Sequence, residues 1–255
     1  MCHPDEPAQQ GPSGRTTEAL LPLPKGERLP AELALPAPGQ GPGVLLITDI
    51  YGCTPFYRHV QRRLTDAGYT SLMPDIFFRE GELGERTREA ALARRARLDE
   101  GRALGDLLRA AEWLGQHEAV SGARLGLLGF CLGGTLALDM CAERDGLAAV
   151  CYYAFPSGMC GSNAPAPLDV VPDVTGPVLA FWGDEDYIDM DEIEKLRDMM
   201  AKHGRNYNAI IYTGVGHGFL SDLGGEQPGG NAAHDSWRRS LAFFAQHLST
   251  EPAGE

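Results

Sequence analysis

One decapeptide limits the folds open to this chain more than any other: Gly126-Leu-Leu-Gly-Phe-Cys-Leu-Gly-Gly-Thr135. An apolar, strand-forming run passes into a helix-forming run through Gly129-Phe130-Cys131-Leu132-Gly133, with a reactive side chain at the apex and glycine two positions to either side. Such spacing is a steric requirement of a tight turn. Side chains at Gly129 or Gly133 would collide with the neighbouring strand and helix, and the apex residue takes a strained backbone conformation. The pattern has the form of a nucleophile elbow with Cys in the place of Ser. Cys131 then projects at the carboxyl edge of a sheet, at the N-terminus of a helix beginning near Leu132. There the helix dipole favours thiolate, and the Leu132 amide can donate to a developing oxyanion. A dinucleotide fingerprint fails for want of a GxG triplet after the strand, and a phosphate-binding loop fails because Thr135-Leu136, not Lys, follows Gly134. The competing structural reading is that Cys131 is a small buried hydrophobe in the turn.

An elbow needs a parallel sheet around it, and the flanking sequence offers one. Apolar runs bounded by turn residues occur at Leu29–Leu35, Val44–Asp49, Thr70–Pro74, Arg124–Leu128, Ala148–Tyr153, Val178–Trp182 and Asn208–Tyr212. The intervals accommodate amphipathic helices at Phe56–Ala67, one long polar helix within Arg86–Gln116, and helices at Leu132–Glu143, Asp191–His203 and Ala232–His247. The alternation predicts an α/β fold with a mostly parallel, doubly wound sheet and helices on both faces. At 255 residues, a single domain over residues 16–248 is expected, with a flexible leader over 1–15 and a frayed tail over 249–255. The Pro-, Gly- and Ser-rich stretch Pro156–Pro177 reads as a surface connection.

The net charge of −13 argues against nucleic acid and against an anionic membrane surface as partners. No apolar run approaches the ~20 residues that span a bilayer, and Met1–Gly14 lacks the apolar core of a secretory signal, so a cytoplasmic location is expected. The six cysteines, at 2, 53, 131, 141, 151 and 160, show no CxxC spacing. Reduced thiols are expected rather than disulfides or a zinc site.

A cysteine nucleophile requires a base and an orienting acid, which in this kind of fold follow it on loops after later strands. Beyond Asn208–Tyr212 lies Gly214-Val-Gly-His217-Gly-Phe219, and a histidine between glycines has no helix face or core stripe to belong to. The other histidines sit on predicted helices or in the leader. Beyond Val178–Trp182 lies Gly183-Asp184-Glu185-Asp186, in which any of three acids could orient the imidazole.

On these residues the sequence resembles the dienelactone hydrolases (carboxymethylenebutenolidases) from about Leu29 to Leu248. Gly129–Gly134 is similar to that family's G-x-C-L-G-G elbow, Gly183–Asp186 to its G-x-x-D loop and Gly216–Phe219 to its G-H-x-F loop. The resemblance implies an α/β-hydrolase fold of eight strands, the one not yet placed lying around Ala19–Leu23. It also implies Asp186 as the orienting acid, ahead of Asp184. Asp49 stands where the family usually carries a Glu that pairs with the resting thiol. By the same resemblance the Ile50 amide joins Leu132 as oxyanion donor, and Arg79 binds a substrate carboxylate. A second family arginine is missing, since the corresponding stretch reads Phe219-Leu-Ser221-Asp222, and Glu85–Asp99 contains no aromatic residue. Tyr51, Tyr153, Trp182 and Phe219 are candidate pocket-lining residues, with ordinary core packing as the alternative.

The activity implied is hydrolysis of a small ester or enol-lactone by Cys131, His217 and Asp186 through a thioester, without metal or organic cofactor, in a monomer or weak homodimer. A non-hydrolytic cyclase or lyase, or a ligand-binding protein on the same scaffold, is the alternative. A cysteine peptidase is disfavoured because the elbow and the order 131, 186, 217 belong to another fold.

Overall fold

The computed structural model describes residues 15–224 and 232–248, Asp222 without its side chain. Eight strands form one sheet: β1 Arg15–Pro22, β2 Arg28–Leu35, β3 Gly41–Ile47, β4 Thr70–Pro74, β5 Val120–Phe130, β6 Leu147–Tyr152, β7 Val178–Gly183 and β8 Tyr207–Tyr212, in the order β1-β2-β4-β3-β5-β6-β7-β8. The pairs β1/β2 and β2/β4 are antiparallel and the remaining five are parallel. The helices are α1 Pro55–Asp66, α2 Arg88–Arg95, α3 Glu100–Gly115, α4 Leu132–Glu143, a short α5 Pro167–Val170, α6 Met190–Lys202 and α7 Ala232–Leu248.

Consecutive residues of a strand face opposite sides of the sheet, and β5 shows what each side carries. A Cβ on Gly115 of α3 would touch the Leu125 side chain, whereas a Cβ on Gly126 would press on Phe244 and Leu248 of α7. Helices therefore cover both faces, and β3, β6 and the Leu125–Phe130 part of β5 are apolar because neither side meets water. Leu45, Leu46, Ile47, Leu127, Leu128 and Val150 are fully buried. Helix α4 is apolar on nearly every side for the same reason, being enclosed between β5, β6 and α3.

Several expectations are corrected. The strand placed around Ala19–Leu23 is β1, which starts at Arg15, so Arg15 belongs to the sheet rather than to a leader; the rest of the leader and the tail lie outside the described residues. The single helix within Arg86–Gln116 is two. Asp99 ends the break between them, its Oδ1 accepting the Arg102 amide at 2.9 Å as the N-cap of α3. Strand β3 ends at Ile47, which leaves Thr48 and Asp49 in the following turn. The stretch Pro156–Pro177 is more than a surface connection: it contains α5, buries Leu168, Val171 and Val174, and is tied to α3 where Ser162 Oγ donates to Glu100 Oε2 at 2.6 Å. Among the described residues, Cys53, Cys131, Cys141, Cys151 and Cys160 are in no disulfide.

One acid is out of keeping with its surroundings. Asp139 on α4 is 1% exposed, and neither carboxyl oxygen has a hydrogen-bond partner among the described residues. Burial, with smaller repulsion from Glu100 and Glu143, raises its pKa from 3.8 to about 8. The unfolded chain loses this proton first, so between pH 4 and 8 the folded state is progressively disfavoured as pH rises. Asp139→Asn should remove that dependence: the melting temperature of the variant minus that of the wild type should grow from pH 5 to pH 8, and a constant difference would refute the assignment.

Candidate active site

The turn from β5 into α4 has the backbone that its glycines foretell. Cys131 sits at φ 55°, ψ −116°, a conformation that L-residues avoid, and the chain is held there from both sides. The Cys131 amide donates to Tyr152 O at 2.9 Å, and its carbonyl accepts the Thr135 amide at 3.0 Å, the first bond of α4. A Cβ on Gly129 would collide with the Gly133 carbonyl, and one on Gly133 with the carbonyls of Ile47 and Thr48. Leu132 is the first residue of α4, so its amide belongs to the turn of N–H groups that a helix cannot satisfy internally. Cys131 itself is 1% exposed. Burial pushes the thiols of Cys53, Cys141 and Cys151 up, Cys141 to about 12, which keeps those three protonated and inert.

Loops leaving the carboxyl ends of β7 and β8 bring Asp186 and His217 to the same sheet edge. Both side chains are buried, with His217 Nδ1 at 2.9 Å from Asp186 Oδ2 and 3.0 Å from Oδ1. A proton on Nδ1 shared with the carboxylate fixes the tautomer in which Nε2 is the basic nitrogen. The choice among the three acids is geometric: Asp184 is occupied with the Gly214 amide at 2.7 Å, shaping the His loop, while Asp186 alone meets the imidazole. The two loops are locked together, since Glu185 N donates to Val215 O at 3.1 Å and a Cβ on Gly183 would overlap that same carbonyl.

Strand β6 ends between the nucleophile candidate and the histidine. Tyr153 there takes a positive φ of 39° and lays its ring 4.7 Å from the imidazole. Phe155 and Tyr187 complete an aromatic enclosure, at 5.8 and 4.6 Å from His217. Phe219 packs on Tyr153 at 5.6 Å. Trp182 does not join this group by its polar edge: it is fully buried and its Nε1 donates to Ala154 O at 2.9 Å, a structural bond. Tyr187 was missed in the sequence although it directly follows Asp186; its adjacency to the acidic loop was the available signal.

The turn after β3 carries the remaining candidates. Gly52 N donates to Asp49 O at 3.1 Å, Tyr51 N to Asp49 Oδ1 at 2.8 Å, and Asp49 N approaches the Tyr57 hydroxyl at 3.3 Å. Asp49 therefore closes its own turn rather than capping the helix near Phe56, and Ile50 supplies the amide that these turn bonds do not use. Tyr51 is buried at this turn.

Arg79 is engaged within the protein. Its guanidinium contacts Asp106 Oδ2 at 2.5 Å and Glu27 Oε2 at 2.7 Å and lies over the Phe78 ring, so its charge is matched by protein carboxylates.

Residues 29–248 match the dienelactone hydrolase family. A carboxymethylenebutenolidase of Rhodococcus opacus is 37% identical over 99% of this chain and all of its own length. Among solved structures, a Klebsiella pneumoniae protein described as a dienelactone hydrolase superposes with a TM-score of 0.83 at 29% identity, covering 92% of this chain and 100% of its own. An acylaminoacyl peptidase of Pyrococcus horikoshii shares the α/β-hydrolase fold alone, with a TM-score of 0.70 at 15% identity over 96% of this chain and 43% of its own.

Two outcomes are expected from this geometry. Gly129→Ala, whose methyl meets backbone that cannot yield, should lose on the order of 3 kcal/mol or more of stability in urea unfolding; a wild-type midpoint would contradict the close approach. Arg79→Ala should change KM equally for carboxylated and neutral esters, and a rise in KM confined to carboxylated ones would restore the anion-binding role.

Proposed function

Because this chain belongs to the dienelactone hydrolase family, we propose that it opens small esters or enol-lactones with Cys131 as nucleophile, His217 as base and Asp186 as the group that orients the base. The observation that carries the reading is the buried His217–Asp186 pair, 2.9 Å apart, delivered to the same sheet edge as the strained apex cysteine.

His217 Nε2 takes the thiol proton, and the thiolate of Cys131 attacks the substrate carbonyl. Negative charge gathers on the carbonyl oxygen, where the amides of Leu132 and Ile50 are donors that need no reorganisation. Collapse breaks the ester C–O bond, the proton passes from His217 to the departing alkoxide or enolate, and a thioester remains. Water then gives a proton to His217 and its hydroxyl to the thioester, which releases the acid and restores the thiol. The aromatic rings of Tyr153, Phe155 and Tyr187 exclude water from the imidazole and strengthen its interaction with Asp186.

Neutral substrates fit this site better than anionic ones. Arg79 is neutralised by Asp106 and Glu27, and the chain as a whole carries a net charge of −13. The test is a panel of aryl esters, enol-lactones and saturated lactones, with and without a carboxylate, assayed with wild type, Cys131→Ala and Asp186→Asn. Cys131→Ala should abolish turnover, and Asp186→Asn should lower kcat by about 10²- to 10⁴-fold because the imidazole loses its tautomer. Hydrolysis that survives in Cys131→Ala would refute the nucleophile assignment, and an isomerised rather than hydrolysed product would move the chain to a cyclase or lyase.

A further inference from the structure

Arg94, in the last turn of α2, is a buried cation with no carboxylate in direct contact among the described residues, although the charges of Asp75, Glu80 and Asp49 act on it from farther off. The residue is 6% exposed, yet among the described residues its guanidinium forms no ion pair; it donates to the carbonyls of Ile50 at 3.0 Å and Gly81 at 3.4 Å and lies 4.2 Å over the Phe77 ring. Its Nε is buried with no hydrogen-bond partner. The neighbouring Arg95 is equally buried but is paired with Glu100. Removing an arginine from water without a carboxylate is costly, and such an exception in a folded protein calls for a reason.

The reason lies in the turn that it touches. A β-turn is softest in the rotation of its central peptide, which in Asp49–Gly52 is the unit between Ile50 and Tyr51. That peptide is gripped at both ends: its N–H by Asp49 Oδ1 at 2.8 Å, its C=O by Arg94 Nη2 at 3.0 Å. The guanidinium reaches the carbonyl because residue 52 is glycine, at φ 74°, where a Cβ would lie 3.2 Å from Nη2. Holding this peptide fixes ψ of Ile50 and pins the turn at its centre, so that the Ile50 amide, on the preceding peptide, is carried in one place. We propose that Arg94 is a positioning residue that holds the Asp49–Gly52 turn in the conformation that aims the Ile50 amide at the substrate oxyanion. This rests on the reading of Ile50 as an oxyanion donor given above. Asp49 and Arg94 then act as opposed clamps on one peptide, and the positive charge beside the turn adds to the field felt by a developing oxyanion.

A residue that matters only for folding would affect every reaction of Cys131 alike, whereas a residue that aims an oxyanion donor affects only those that form an oxyanion. Arg94→Met and Arg94→Lys are compared with wild type in a Cys160→Ser background, which removes an exposed thiol. Alkylation of Cys131 by iodoacetamide passes through no oxyanion. Formation of a tetrahedral adduct with an aryl trifluoromethyl ketone, read by ¹⁹F NMR, does so without turnover. Arg94→Met should weaken the adduct by about 10- to 100-fold with alkylation unchanged, should lower kcat on aryl esters by a similar factor at nearly constant KM, and Arg94→Lys should recover part of the loss. Equal adduct affinity in Arg94→Met and wild type, or a parallel fall in alkylation and adduct formation, would overturn the proposal. Failure of the hydrolase reading shows differently, as a wild type whose ester turnover is absent or unchanged by Cys131→Ala, while the adduct comparison still decides the role of Arg94.

Discussion

The site depends on how closely the elbow approaches the strand beside it. Gly133 packs against the carbonyls of Ile47 and Thr48 with no room for a side chain, and Gly129 packs against Gly133 in the same way. This contact holds Cys131 in a backbone conformation that it would not choose, brings the N-terminus of α4 next to the turn after β3, and sets the Leu132 and Ile50 amides on a common edge. Parallel pairing of β3 with β5, from Val44 opposite Gly126 to Ile47 opposite Gly129, makes the contact possible. Two consecutive strands of a parallel sheet must end together for their loops to meet, and the apolar faces of β3 and β5, buried on both sides, fix that register.

Around this frame the charges are arranged in two different ways. Arg79, Arg95 and Asp186 have partners of opposite charge or a histidine within contact. Among the described residues, Asp139 has no hydrogen-bond partner for its carboxyl oxygens and Arg94 has no carboxylate in contact. The first solves its burial by staying protonated. The second cannot lose its proton at ordinary pH, so it is stabilised by carbonyl dipoles and an aromatic face. A neutral acid inside a helix is a matter of stability, while a cation bound to the Asp49–Gly52 turn is proposed to act on the chemistry.

The sequence made the framework legible because its signals are local. Glycines at 129 and 133 specify a turn that only they can make, apolar runs specify strands that are buried on both faces, and a histidine between glycines after a strand has little else to be. Those features placed seven strands within a few residues, although β5 is longer at both ends than expected and the antiparallel β1 begins earlier. Alternating exposure along β1, an edge strand, gave a weaker signal than the continuous apolar runs of the interior. The break at Asp99 was hidden because both flanking segments are helix-forming.

What the amino-acid order offered by itself was a set of candidate reactive groups: a cysteine at an elbow, a histidine in a glycine loop and an acid within Gly183–Asp186. What tertiary structure decided was which groups remain available. Asp184 and Asp186 are indistinguishable as solvated loop acids until one is found bound to a backbone amide and the other to an imidazole. Arg79 and Arg94 are both arginines in polar surroundings until folding brings Glu27, from 52 positions away in the chain, into contact with the first and sets the second against carbonyls and a ring. A charge is assigned by its neighbours, and those come from elsewhere in the chain.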